Sequence, residues 1–194
     1  RLYLEKTIHL AFLIGIPLSG IFYLFSDPIF TLLYGEANGT ILSQLSIATL
    51  FLCTYQISTS ILQAIGKQWT STLIFVGGML IQFALTYVLV SVPEYRVNGY
   101  ILSYLISYFL ISAANLILVF FFTRNPMDVK KYILIPCLAA IIPLSFSKPL
   151  FNYLLAGLPM IFSLLTVVSV IGVIYLGILL LCKNIQYFYR KGAL

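Results

Sequence analysis

The chain has 194 residues, of which 61% are hydrophobic and only 8% charged, and it carries a net charge of +6. A soluble domain carries about 25% charged residues, so this composition excludes a water-soluble fold. The apolar residues fall in long unbroken blocks, which calls for a bilayer as solvent. The basic excess does not indicate a nucleic-acid partner, because the charges sit in the loops between apolar blocks. Arg1 stands where a Met would start a chain, and no signal-peptide pattern follows it. The expectation is a piece of a longer protein.

In chain order the first predicted span covers about 7–24 and is followed by a short apolar extension, Ile29 to Leu33, behind Asp27 and Pro28. Spans two, three and four cover about 41–65, 69–92 and 97–122, the fifth 132–146 and the sixth 159–182. A helix needs roughly 20 residues to cross. The fifth span is the shortest and contains Pro136 and Pro143. It is counted as crossing, and the run Pro149 to Ala156 either extends it or lies at the interface. The blocks lack the alternation of a barrel strand. The predicted fold is an all-α integral membrane bundle of about six helices, with residues 1–194 as one transmembrane domain.

Charge placement orients the bundle. Arg1, Lys6, Lys67, Arg124, Lys130, Lys131, Lys183, Arg190 and Lys191 fall on one side; Arg96 and Lys148 fall on the other with Asp27, Glu36 and Glu94. The positive-inside rule then places both ends of this segment in the cytoplasm of a multi-pass cell-membrane protein. Tyr34, Trp69, Tyr95, Tyr132, Tyr153, Tyr187 and Tyr189 lie near the predicted span ends, as interfacial rings do.

On this reading no Asp, Glu, Lys or Arg lies within a span, so there is no intramembrane carboxylate for a proton relay. His9 is read as an interfacial histidine, and Cys53, Cys137 and Cys182 as small hydrophobes. Span two is the informative helix. Ser46, Thr49, Cys53, Gln56, Ser60, Gln63 and Lys67 are spaced alternately three and four apart, forming one stripe, while Leu50, Ile57 and Ile61 occupy the opposite side. An unpaired amide in hydrocarbon is costly, so the stripe faces other helices or a wet cavity, and both readings stay open.

Span four carries Tyr100, Tyr104 and Tyr108, the small pair Ser103 and Ser107, and Asn115 deeper in; span three carries a packing notch of Gly77, Gly78 and Gln82. The candidate cavity residues are Thr49, Gln56, Ser60, Gln63, Tyr104 and Asn115. Enzyme motifs and metal-ligand spacings do not occur, so the expectation is a non-enzyme without a cofactor.

Three stretches carry a resemblance. Ile61-Leu-Gln-Ala-Ile-Gly-Lys67 ends span two. Val97-Asn-Gly99 follows the Pro93-containing loop and leads into the Tyr-rich span. Upstream lie Pro17, Asp27-Pro28 and Leu33-Tyr34-Gly35. Their order resembles the C-terminal half of the polysaccharide biosynthesis and stage V sporulation protein B exporters. That family belongs to the multidrug/oligosaccharidyl-lipid/polysaccharide superfamily, which includes the lipid II flippase. The match is best from Arg1 to about Phe122; the last two spans agree only in number and hydropathy.

The resemblance implies a two-lobe transporter of twelve to fourteen helices, of which this region is the last six. It also implies alternating access around a central cavity that passes a lipid-linked oligosaccharide or peptidoglycan precursor across the cytoplasmic membrane. The partners implied are the lipid-linked sugar, membrane lipids and the other lobe or another chain. Two alternatives stand beside this one: a cation-coupled multidrug exporter, and a non-transport scaffold of a cell-wall synthesis complex.

Overall fold

The computed structural model describes residues 2–35, 38–123 and 135–181, and all of its regular elements are helices. They are α1 (Leu2–Leu24), α2 (Ser26–Tyr34), α3 (Thr40–Ala64), α4 (Gln68–Val90), α5 (Arg96–Thr123), α6 (Ile135–Leu155) and α7 (Met160–Leu181). Six of them are long and apolar enough to cross a membrane; α2 is the short exception. Arg124, Lys130, Lys131, Tyr132 and everything from Cys182 onward lie outside the described residues, as do Arg1 and Glu36. Most of the basic residues behind the orientation expectation are therefore not placed.

Contacts order the helices in space as α4, α5, α3, α1, α6, α7, with α2 against α3 and α7. Registers follow from paired residues. Phe51 meets Phe109 edge-to-face at 5.4 Å, and further along the same two helices Leu62 and Val119 share one cluster, so α3 and α5 run parallel. Leu13 and Ile16 pack with Ala139 and Ala140, and Gly20 abuts Leu144, so α1 and α6 are parallel as well. α1 runs antiparallel to α3, where Gly15 abuts Cys53 and Ser19 Oγ donates to the Ser46 carbonyl at 2.7 Å. α1 contributes to all three apolar clusters and is the hub of the bundle.

Proline placement explains one long-range contact. Pro17 lies inside α1 and has no N–H to offer the carbonyl four residues back, that of Leu13. Tyr175 of α7 donates its hydroxyl to that carbonyl at 3.0 Å. In hydrocarbon a freed carbonyl needs such a neighbour, and here it comes from a residue far along the chain.

Two helix ends are set by glycine. At the end of α3, Lys67 N–H bonds to the Leu62 carbonyl at 2.8 Å and Gly66 N–H to the Gln63 carbonyl at 3.0 Å, with Gly66 at φ +75°. This is a Schellman cap, and only glycine takes that φ without strain. Gly35 caps α2 at φ +77°. The segments Leu62-Gln-Ala-Ile-Gly-Lys67 and Leu33-Tyr34-Gly35, which carry part of the family resemblance, are thus helix stop signals in physical terms.

The fifth span takes the longer of its two expected forms. α6 runs on to Leu155, beyond the predicted end near Phe146, with Pro143 and Pro149 both inside it. Pro136 sits in the first turn, where no N–H is needed. The apolar run after Pro149 continues the helix, and Phe151 packs edge-to-face on Phe25 at 5.2 Å. As a result Lys148, assigned to an outer loop on sequence, lies inside a helix of membrane-crossing length. The reading that no basic residue lies within a span is corrected accordingly.

Candidate functional site

The polar stripe of α3 divides along its length. Ser46 is buried, with its Oγ donating to the Ser43 carbonyl at 2.6 Å. Thr49 and Cys53 are half-buried, and Gln56, Ser60, Gln63 and Lys67 are exposed. The cause is geometric. A pattern alternating three and four repeats every 3.5 residues, while the helix turns every 3.6, so the stripe drifts about 20° per heptad. It begins against α1 and ends on the open face.

Leu50 and Ile57 pack against the cluster that contains Ile61, on the side facing α1 and α5. Ser60 Oγ donates to the Gln56 carbonyl at 2.9 Å. The Gln56 and Gln63 amides have no hydrogen-bond partner among the described residues. The open face also reaches the turn, where Lys67 Nζ stands 5.1 Å from the centre of the Phe122 ring.

Asn115 and Tyr104 belong to α5. Asn115 is 0% exposed: its Oδ1 accepts from Ser71 Oγ at 2.8 Å, and its Nδ2 donates to the Ile111 carbonyl at 3.0 Å. Ser71 Oγ also lies 3.1 Å from Thr59 Oγ1, so this one point ties α3, α4 and α5 together. Along the same α4–α5 seam Gly78 seats directly on Ile111, and Thr86 Oγ1 and Ser103 Oγ lie 2.6 Å apart. At its end Gly99 lies so close to Leu89 that a Cβ would meet the Leu89 carbonyl.

Tyr104 is the middle of a ring ladder, 6.4 Å from Tyr100 and 4.4 Å from Tyr108. Tyr108 meets Tyr55 edge-on at 6.5 Å, and Tyr55 stacks on Phe75 at 5.6 Å. The ladder runs along α5 from the exposed Tyr100 and joins α3 through Tyr55, which in turn stacks on Phe75 of α4. The structure therefore brings Gln56, Ser60 and Gln63 together on one face, keeps Thr49 at its margin, buries Asn115 between helices, and leaves Tyr104 half-buried in the ring ladder of α5.

On the other side of α3, Phe12, Leu50, Phe51, Thr54, Phe109 and Ser112 line an apolar groove of about 170 Å³ between α1 and α5. The Thr54 hydroxyl there is turned back to the Leu50 carbonyl at 2.9 Å. His9, expected to face headgroups, is buried at 3% exposure. Among the described residues no three His, Cys, Asp or Glu side chains gather as a metal site.

The polar α4–α5 seam was legible only as a list of small residues on each helix. The partners follow from helix pairing, which the periodicity of a single helix does not encode. No protein-family model, curated protein or solved structure matches the chain.

Proposed function

We propose that the chain is one lobe of a membrane exporter for a lipid-linked oligosaccharide or peptidoglycan precursor, and that the Gln56–Ser60–Gln63 face of α3 lines its pathway. The observation that supports this reading is the pair of exposed amides. They lie on a helix able to cross a membrane and have no hydrogen-bond partner among the described residues. Leaving an amide unpaired in hydrocarbon costs several kcal/mol, about 4–8 on a cyclohexane scale. The face is therefore matched to water, to a polar headgroup or to another protein surface. A transporter lobe presents such a surface to its central cavity near the membrane midplane. The order of the Pro17, Gly66-Lys67 and Val97-Asn-Gly99 segments, similar to that of the sporulation and polysaccharide exporters, supports the same reading.

The scaffold reading makes the same face a dry protein contact, and solvent access separates the two. Single cysteines at Gln56 and Gln63, in a transport-competent protein otherwise free of cysteine, are exposed to a membrane-impermeant thiol reagent. Leu80, on the exposed side of α4, serves as the lipid-facing control, and Ile57 as the packed control. Labelling at Gln56 and Gln63 alone, blocked by a lipid-linked sugar precursor, is the expected outcome. A transport-active protein that labels at none of the four positions from either side refutes the pathway assignment.

A further inference from the structure

The extension of α6 to Leu155 creates a surface absent from the span pattern. Lys148 is thirteen residues into α6 and seven short of its end. Seven residues of helix are about 10 Å. Apart from Arg96, at the first position of α5, it is the one Lys or Arg within the six candidate spans among the described residues. It is exposed, and it makes no ion pair with an acidic side chain among them.

Its neighbours on the helix surface at three before and four after are Ser145 and Asn152, both exposed, so the three side chains share one face. Ser145 Oγ donates to the Ile141 carbonyl at 2.7 Å, while the Asn152 amide has no partner among the described residues. The buried side of the same helix, through Phe151 and Leu144, packs against Phe25 and α7. The face is thus free of the bundle and lies at the α2 end of the molecule.

We propose that the Ser145–Lys148–Asn152 face of α6 binds the phosphate group of a membrane lipid. A charged side chain within a crossing helix is costly unless it is paired or reaches the interface. A lysine lays its methylene stem along apolar surface and carries its ammonium toward the nearer boundary. The anion available at that depth is a lipid phosphate, and an ammonium binds phosphate as a compact point charge. The Asn152 amide supplies a neutral donor beside it. This site is separate from the α3 face and does not depend on the export reading.

The test is native mass spectrometry of the full chain released from detergent with three added lipids: a polyprenyl diphosphate, phosphatidylglycerol and a polyprenyl alcohol. Lys148→Met keeps the side-chain length and suits an apolar face; Lys148→Arg keeps the charge. Retention of phosphate-bearing lipid falls about tenfold in Lys148→Met, equivalent to 1.4 kcal/mol, and stays near wild type in Lys148→Arg. The alcohol is retained equally by all three proteins. Loss confined to the diphosphate identifies a polyprenyl carrier as the source, and loss of both phosphate lipids identifies bulk phospholipid. Equal retention of every lipid by wild type and Lys148→Met, with the same unfolding transition for both, overturns the site.

Discussion

The two halves of the bundle are held in different ways. Between α3, α4 and α5, helices are pinned by polar pairs: Ser71 to Asn115 at 2.8 Å, Thr86 with Ser103 at 2.6 Å, and Thr59 beside Ser71. Between α1, α6 and α7, contact is mainly apolar, with two clusters around Phe25 and Ala140, and Tyr175 adds a polar link to the Leu13 carbonyl. Lipid tails are as apolar as leucine, so burying apolar side chains gives little net attraction between helices in a membrane. The first half therefore specifies its register by hydrogen bonds and close backbone approach. The second relies on shape and on repairing one proline.

The largest effect expected from breaking the polar half is steric. Gly78→Val places its side chain on Ile111, and overpacking of this kind destabilises by about 3 kcal/mol. Unfolding in mixed micelles measures it, and Ile111→Ala in the same chain restores most of the loss if the clash is the cause. Asn115→Ala comes next. It removes one of the two partners of the buried Ser71 hydroxyl, leaving Thr59, and opens a small void, for about 2 kcal/mol. A double-mutant cycle with Ser71→Ala then returns a positive coupling between the two positions, and additive losses would show that the pair contributes nothing.

In the apolar half the corresponding change is smaller. Tyr175→Phe keeps the ring and removes only the donor to the Leu13 carbonyl, with an expected loss of about 1 kcal/mol. Pro17→Ala returns a local N–H to that carbonyl, so Tyr175→Phe in the Pro17→Ala background costs less than in wild type. Equal costs in both backgrounds would sever the link between proline and tyrosine. The smallest effects belong to glycines facing open space. Gly77→Ala and Gly172→Ala change stability by less than about 0.5 kcal/mol, because no atom of another described helix lies within 4 Å of the added Cβ in either case. Gly66→Ala, also in open space but at φ +75°, loses about 1 kcal/mol.

The candidate face was partly legible for a stated reason. Spacing alone groups Gln56, Ser60 and Gln63, because residues three and four apart share a side of any helix. Spacing does not say whether that side is covered. Asn115 illustrates the converse: its depth in a span made it a cavity candidate, and only the position of Ser71 on a neighbouring helix shows it paired between helices. Lys148 was assigned to a loop because the predicted fifth span ends near Phe146, whereas α6 continues to Leu155 with Phe151 packed on Phe25.

The amino-acid sequence by itself determined the solvent, the class and the count: a composition with 8% charge and six long apolar blocks admits only a helical membrane bundle. It also determined local ends, since Gly35 and Gly66 stop their helices through short-range backbone geometry. Tertiary structure alone decided which helices are neighbours, that α3 and α5 run side by side in parallel, and which part of the α3 stripe stays open. Those depend on pairings between residues far apart in the chain, where shape and single hydrogen bonds of about 1 kcal/mol select among many arrangements of equal hydropathy.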